Sequence, residues 1–196
     1  MDAVITLYNM RHYTLLLFLS FALNAQQQTG KVVSVLDGDT VIVLDNNIQT
    51  KLRLAEIDCP EKNQPFGKKA KQFTSDRVFS KTIFYEVTGK DKYGRSIAKI
   101  YYGPSKIYLN KELVEFGLAW HYKKYSDSEE LSRLEVNARN KKIGIWSEKD
   151  FIEPSAWRKG KKTGFKSGGA SLKIHIPKRH YKRYKNSTFI KVIKIR

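Results

Sequence analysis

Cysteine is nearly missing from this chain of 196 residues: Cys59 stands alone. A single thiol excludes an internal disulfide and any cysteine-rich metal centre. Long apolar runs are equally scarce. Residues 13–23 form one, too short to span a bilayer comfortably, and no second follows, so no permanent membrane span is expected. Acidic residues vanish after Glu153, where residues 154–196 hold fourteen Lys and Arg and no Asp or Glu. Internal repeats are absent as well, which excludes a solenoid or propeller.

What is present suits one ordinary domain with chain to spare. Apolar residues make up 41%, enough for a packed core, and 11 Tyr, 10 Phe and 3 Trp suit a small β-rich core or a stacking surface. The formal net charge is +18, with a pI near 9.9. That charge attracts polyanions at long range; nucleic acid is the commonest, and an anionic lipid surface competes as partner. The stretch after Glu153 carries +14 of the +18, so the preceding domain is only mildly basic. Residues 162–171 are rich in Gly and Ser and read as a linker, and Tyr181, Tyr184 and Phe189 stud the remainder. This extension could hold nucleic acid by counterion release and base stacking, or cling to an anionic cell surface.

At the other end, Arg11 and His12 precede the apolar run, Ala22 and Ala25 follow as small residues, and three glutamines come next. This is the order of a secretory signal. It sets residues 1–25 apart as a signal peptide and implies a secreted or periplasmic protein; an uncleaved anchor is the competing reading.

Between these ends, residues 31–36 and 40–44 read as strands joined by the tight turn Asp37-Gly38-Asp39. A third strand is expected over 48–57, after Asp45-Asn46-Asn47, completing a meander. Residues 66–79 turn helical, with Ala70, Phe73 and Arg77 on one face; strands follow over 82–87 and 96–102, and a helix over 111–116 ends at Gly117. Ser126 and Glu129 are spaced as a capping box, ahead of a helix with Leu131, Leu134 and Ala138 on one side. These elements predict an α+β, mainly β domain over 29–153: an OB-type five-stranded barrel with about three helices, followed by the basic extension over 154–196.

The meander brings Asp39, at the start of the second strand, beside Asp58, at the end of the third. Two hard oxygen donors at one barrel rim suit Ca²⁺ or Mg²⁺, although turn carboxylates are commonly just solvated. Arg53 precedes Asp58 by five positions, and that odd offset puts the two on opposite faces of an ideal strand unless a bulge intervenes. Arg95 ends the turn Asp91-Lys92-Tyr93-Gly94. Arginine forks and a divalent ion are what a phosphodiester needs as charge builds in its transition state.

Taken in order, Asp37-Gly38-Asp39-Thr40, Arg53-Leu54, Ile57-Asp58-Cys59-Pro60-Glu61, Asp91-Lys92-Tyr93-Gly94-Arg95 and Ile145-Trp146-Ser147 resemble the staphylococcal nuclease (thermonuclease) family over about residues 30–150. The resemblance implies a five-stranded OB-type barrel with three helices, and a monomeric calcium-dependent nuclease cutting DNA or RNA to leave 3′-phosphates. It implies that Asp39 and Asp58 bind Ca²⁺, and that Cys59, where the family usually has Thr, adds its backbone carbonyl. It implies that Glu61 positions or deprotonates the attacking water and that Arg53 and Arg95 bind the phosphate. Lys92, Tyr93 and Tyr125 fall at substrate-side positions. No protein partner is implied. Two departures stand out: the loop after Glu61 is short, and Lys123 replaces a nucleotide-packing tyrosine that Tyr122 could replace in turn. Trp120 reads as packing, and His121 as structural or surface. The alternative function is a non-catalytic nucleic-acid-binding module of the same fold; a surface-attached interaction protein using the basic extension is a third.

Overall fold

A computed structural model of the chain describes residues 27–160. The expected signal peptide and the linker and aromatic part of the basic extension lie outside these residues.

Three antiparallel strands come first: β1 (Gln28–Asp37), β2 (Thr40–Asp45) and β3 (Ile48–Leu54). Asn46 and Asn47, with φ of 46° and 64°, make the turn between β2 and β3, as the left-handed tolerance of Asn allows. Val32, Val41, Val43, Leu52 and Leu54 are buried, while Lys31, Gln49 and Lys51 face out. The third strand is shorter than expected. It stops at Leu54, because Glu56 takes a left-handed conformation (φ 66°) and turns the chain. Ile57–Asp58 then forms a separate strand, β4, which pairs with β8 (Trp120–His121) so that Asp58 lies opposite Trp120.

The helix α1 (Gly67–Val78) leads to β5 (Thr82–Lys90) and β6 (Ser96–Tyr102). β5 joins β1, β6 joins β5, and β6 runs parallel to β3, pairing Leu52 with Ser96 and Arg53 with Ile97. These pairings close the five-stranded barrel. Register shifts in β1 and near Val87 supply the bends that closure requires. The short β7 (Ile107–Tyr108) extends β6 and leads into α2 (Leu109–Glu115). Then come α3 (Glu129–Asn140), a 3₁₀ turn (Gly144–Ser147) and α4 (Pro154–Arg158). Phe73, Leu52, Leu54, Ile83, Ile100 and Leu113 are fully buried, each stabilising the fold by about 1.5–3 kcal/mol.

One expectation needs correction here. α3 is capped by Ser128, whose Oγ accepts from the Leu131 N–H at 3.2 Å, rather than by Ser126. The Ser126 hydroxyl is already engaged by His121 Nε2 at 3.0 Å and accepts from the Ser128 N–H at 3.3 Å. Immediately after Glu153 begins α4, whose Arg158 reaches back to Asp58. Among the described residues no helix is long and apolar enough to cross a membrane.

Candidate active site

The turn Asp37-Gly38-Asp39 is pinned from beneath by α1. Thr74 Oγ1 donates to the Gly38 carbonyl at 2.6 Å. A Cβ at Gly38 would lie 2.7 Å from the Ala70 Cβ and 3.0 Å from the Cys59 Sγ, so only glycine lets the turn settle this close. Asp39 and Asp58 are both buried, and Arg53 lies between them. Its Nη2 is 2.9 Å from Asp58 Oδ1 and 3.3 Å from Asp39 Oδ2. Its Nη1 donates to the carbonyls of Leu54 (2.7 Å) and Ile57 (2.9 Å). The left-handed Glu56 therefore does what an ideal strand could not: it folds Asp58 back onto the face of Arg53. Buried Asn110 fixes this corner, with Nδ2 donating to the carbonyls of Ala55 (2.9 Å) and Ala98 (3.3 Å) and Oδ1 accepting from the Ile100 N–H (3.2 Å).

Arg95 joins from the far side. Its Nη1 donates to Thr40 Oγ1 at 3.4 Å, and that hydroxyl donates to Asp39 Oδ1 at 3.0 Å. Its Nε is 2.6 Å from Asp91 Oδ2. Exposed Tyr93 lies with its ring 5.7 Å from the Arg95 guanidinium and 5.0 Å from Lys92 Nζ. Tyr125 is also exposed, but its ring packs edge-on against Tyr122 and near Lys124, at the far end of the segment that begins opposite Asp58. Trp120 is core, packed edge-on against Trp146. His121 is buried and structural, its two ring nitrogens 3.0 Å from the hydroxyls of Ser132 and Ser126.

Glu61 sits on a loop tied at several points. Its N–H donates to Gln64 Oε1 at 3.1 Å, the Gln64 N–H donates back to its carbonyl at 2.8 Å, and a Cβ at Gly67 would lie 1.9 Å from that same carbonyl oxygen. Buried Gln64 also donates from Nε2 to the carbonyl of Ile152 at 2.5 Å, linking this loop to the segment that leads into α4. From α4 comes a residue that sequence reasoning missed. Arg158 places Nη2 2.9 Å from Asp58 Oδ2, and Nη1 2.5 Å from Glu61 Oε1 and 3.4 Å from Asp58 Oδ1. One more carboxylate stands near: Asp37, pushed up by burial and then by the charges of Asp39 and Glu61.

The electrostatics follow from this crowding. Burial pushes the Asp58 carboxyl above the ordinary carboxylate range, while Arg158 and Arg53 pull it back without fully offsetting that cost. Burial works against the charge on Arg53, but Asp39 and Asp58 outweigh it and raise its affinity for the proton. The Cys59 thiol, fully buried, is pushed well up by burial; its N–H donates to Asp39 Oδ2 at 3.0 Å, which keeps the Cys59 main chain at the site. Two buried carboxylates beside a main-chain segment form a hard oxygen donor set that fits Ca²⁺ or Mg²⁺ and not a thiolate-seeking metal. Among the described residues no group of three or more His, Cys, Asp or Glu side chains could hold a metal together. A bound ion would therefore complete its shell with main-chain oxygen, water or a phosphate.

A five-stranded OB-type barrel that gathers paired carboxylates and arginines on one rim defines a class of protein: the nuclease domains built on this barrel. Residues 51–148 match the family described as staphylococcal nuclease homologue. The chain is 43% identical over 142 residues to an uncharacterized endonuclease of Haemophilus influenzae, covering 72% of this chain and 79% of that protein. It is 37% identical over 129 residues to an uncharacterized endonuclease of Escherichia coli O157:H7, covering 66% and 84%. It is 36% identical over 144 residues to a micrococcal nuclease of Shigella flexneri, covering 68% and 82%. The chain belongs to the staphylococcal nuclease family, and its substrate class is nucleic acid. Arg53, Asp58, Glu61 and Arg95 lie within the matched residues; Asp39 and Arg158 lie outside and join them through the fold.

Proposed function

We propose that this chain is an exported, calcium-dependent nuclease that hydrolyses phosphodiester bonds of DNA or RNA and leaves 3′-phosphates. The observation that carries this reading is the continuous chain of contacts Arg95–Thr40–Asp39–Arg53–Asp58, with Glu61 tied to Asp58 through Arg158, on one rim of the barrel. In this reading Asp39 and Asp58 hold the ion, with the Cys59 main chain beside them. The bound ion supplies Lewis-acid polarisation of the phosphate and neutralises charge on it. Arg53 and Arg95 orient the phosphate by their guanidinium forks and oppose the negative charge that builds on it. Glu61 positions the attacking water or accepts its proton. Tyr93 and Lys92 stand at the outer edge of the phosphate site, where a base can stack and a neighbouring phosphate can be met.

Purified protein incubated with DNA or RNA across a series of divalent metals, with the product ends identified, tests this reading. Cleavage that needs Ca²⁺, stops with EDTA and leaves 3′-phosphates is the expected result. Tight, salt-sensitive binding without cleavage under any metal would replace it with the non-catalytic module. Glu61→Gln and Arg95→Ala should each lower kcat by about 10²–10⁴-fold with unchanged thermal stability.

A further inference from the structure

Of the cations around Asp39, Asp58 and Glu61, Arg158 stands apart. Arg53 is part of the barrel wall: its side chain is 13% exposed and holds two main-chain carbonyls. Arg158 comes from α4, a helix of five residues outside the barrel, and its side chain is 45% exposed. Its hydrogen bonds at the site go to carboxylates, Asp58 and Glu61. With Arg158 docked, Asp58 Oδ1 faces Arg53 at 2.9 Å and Asp58 Oδ2 faces Arg158 at 2.9 Å, so both oxygens already have a cationic partner.

We propose that Arg158 is a tethered counter-cation of the carboxylate site, neutralising Asp58 and Glu61 until a divalent ion takes Asp58, so that metal loading and release of α4 are one linked equilibrium. This inference rests on the metal-dependent reading above. A hard divalent ion sits about 2.3–2.6 Å from a carboxylate oxygen. An ion on Asp58 Oδ2 would therefore stand within about 5.5 Å of Arg158 Nη2 in the docked guanidinium, where like charges in a half-buried site repel strongly. One of the two cations must yield. Arg53 is locked by its main-chain bonds, whereas Arg158 is on the exposed side, at the end of a short helix. Linkage then runs both ways: whatever factor docked Arg158 takes from metal affinity, the bound metal takes from the docking of α4. Gln64 extends the coupling, because one amide side chain supports the Glu61 N–H and holds the Ile152 carbonyl ahead of α4.

Calcium titration of the full chain by calorimetry, without nucleic acid, tests this on wild type, Arg158→Gln and Arg158→Lys. Arg158→Gln should bind Ca²⁺ about tenfold more tightly than wild type, and Arg158→Lys, which keeps the charge, should fall between. A second measurement needs no variant: amide hydrogen exchange of wild type over residues 155–160 should quicken when Ca²⁺ is added. Unchanged or weaker Ca²⁺ binding by Arg158→Gln, with wild-type binding intact, would overturn the inference and leave the nuclease reading standing. Slower exchange over 155–160 with Ca²⁺ would do the same. Failure of both wild type and variant to bind Ca²⁺ would overturn the metal reading and this one together.

Discussion

Removing Arg53 puts the largest electrostatic demand on the site. Arg53→Ala leaves Asp39 and Asp58 facing each other in a buried setting, with side chains 11% and 4% exposed, and strips two carbonyls of their donor. Breaking one side of a buried ion pair costs about 3–5 kcal/mol. Arg158 still contacts both oxygens of Asp58, so the cost should lie near the lower end, about 3 kcal/mol. The assay is urea unfolding in EDTA, at neutral pH and low salt. Asp39→Asn supplies the partner for a double-mutant cycle. Once Arg53 is gone, neutralising Asp39 relieves the repulsion, so Arg53→Ala/Asp39→Asn should be less destabilised than the sum of the single variants by about 1–3 kcal/mol. Saturating Ca²⁺ should recover part of the Arg53→Ala loss by replacing the missing charge. A loss below about 1 kcal/mol in EDTA, or strict additivity in the cycle, would refute the view that Arg53 is the electrostatic keystone of this rim.

Other expectations follow from the supports of the site. Gly67→Ala forces a methyl toward the Glu61 carbonyl; it should cost about 1–3 kcal/mol and lower kcat more than it raises KM, checked by chemical unfolding and steady-state kinetics. Asn110→Ala takes the side-chain partner from the Ala55 carbonyl and the Ile100 N–H, while the Ala98 carbonyl keeps the Ala55 N–H, and should destabilise by about 2–4 kcal/mol in urea melts. Burial lowers the pKa of His121 below its usual value. The unfolded chain then takes up the proton first, so stability is fully present above the ordinary histidine pKa and declines as pH falls from there through the lowered value. His121→Gln should flatten that acid-side decline in Tm measured against pH.

Much of this could be seen in the chain itself. The Asp37-Gly38-Asp39 turn and the alternation of Val41, Val43, Leu52 and Leu54 define the meander that sets Thr40 opposite Arg53. That pairing puts Asp39 opposite Leu54, at the end of the strand that leads toward Asp58. The meeting of Arg53 with Asp58 was hidden, because it depends on a left-handed Glu56, and glutamate gives no signal of that conformation. Two serines compete for the cap of α3, and spacing chose Ser126; the structure chose Ser128 because a distant histidine holds the other hydroxyl. Arg158 was invisible for a different reason. In a run where about one residue in three is basic, nothing local marks the one whose position is fixed by a glutamine and a carbonyl 88 positions apart in sequence.

The pairing of β3 with β6 has a consequence for the order in which this molecule becomes competent. Leu52 meets Ser96 there, one residue from each of the two arginines proposed to bind the phosphate, Arg53 on one strand and Arg95 before the other. The two arginines can face one substrate only after β3 and β6, whose pairing closes the barrel, have met. That contact is long-range in sequence and carries an entropic cost of closure. A partly folded chain, however basic, would bind nucleic acid without holding a phosphate between two guanidinium forks. On the proposed reading, cleavage reports that β3 and β6 have met.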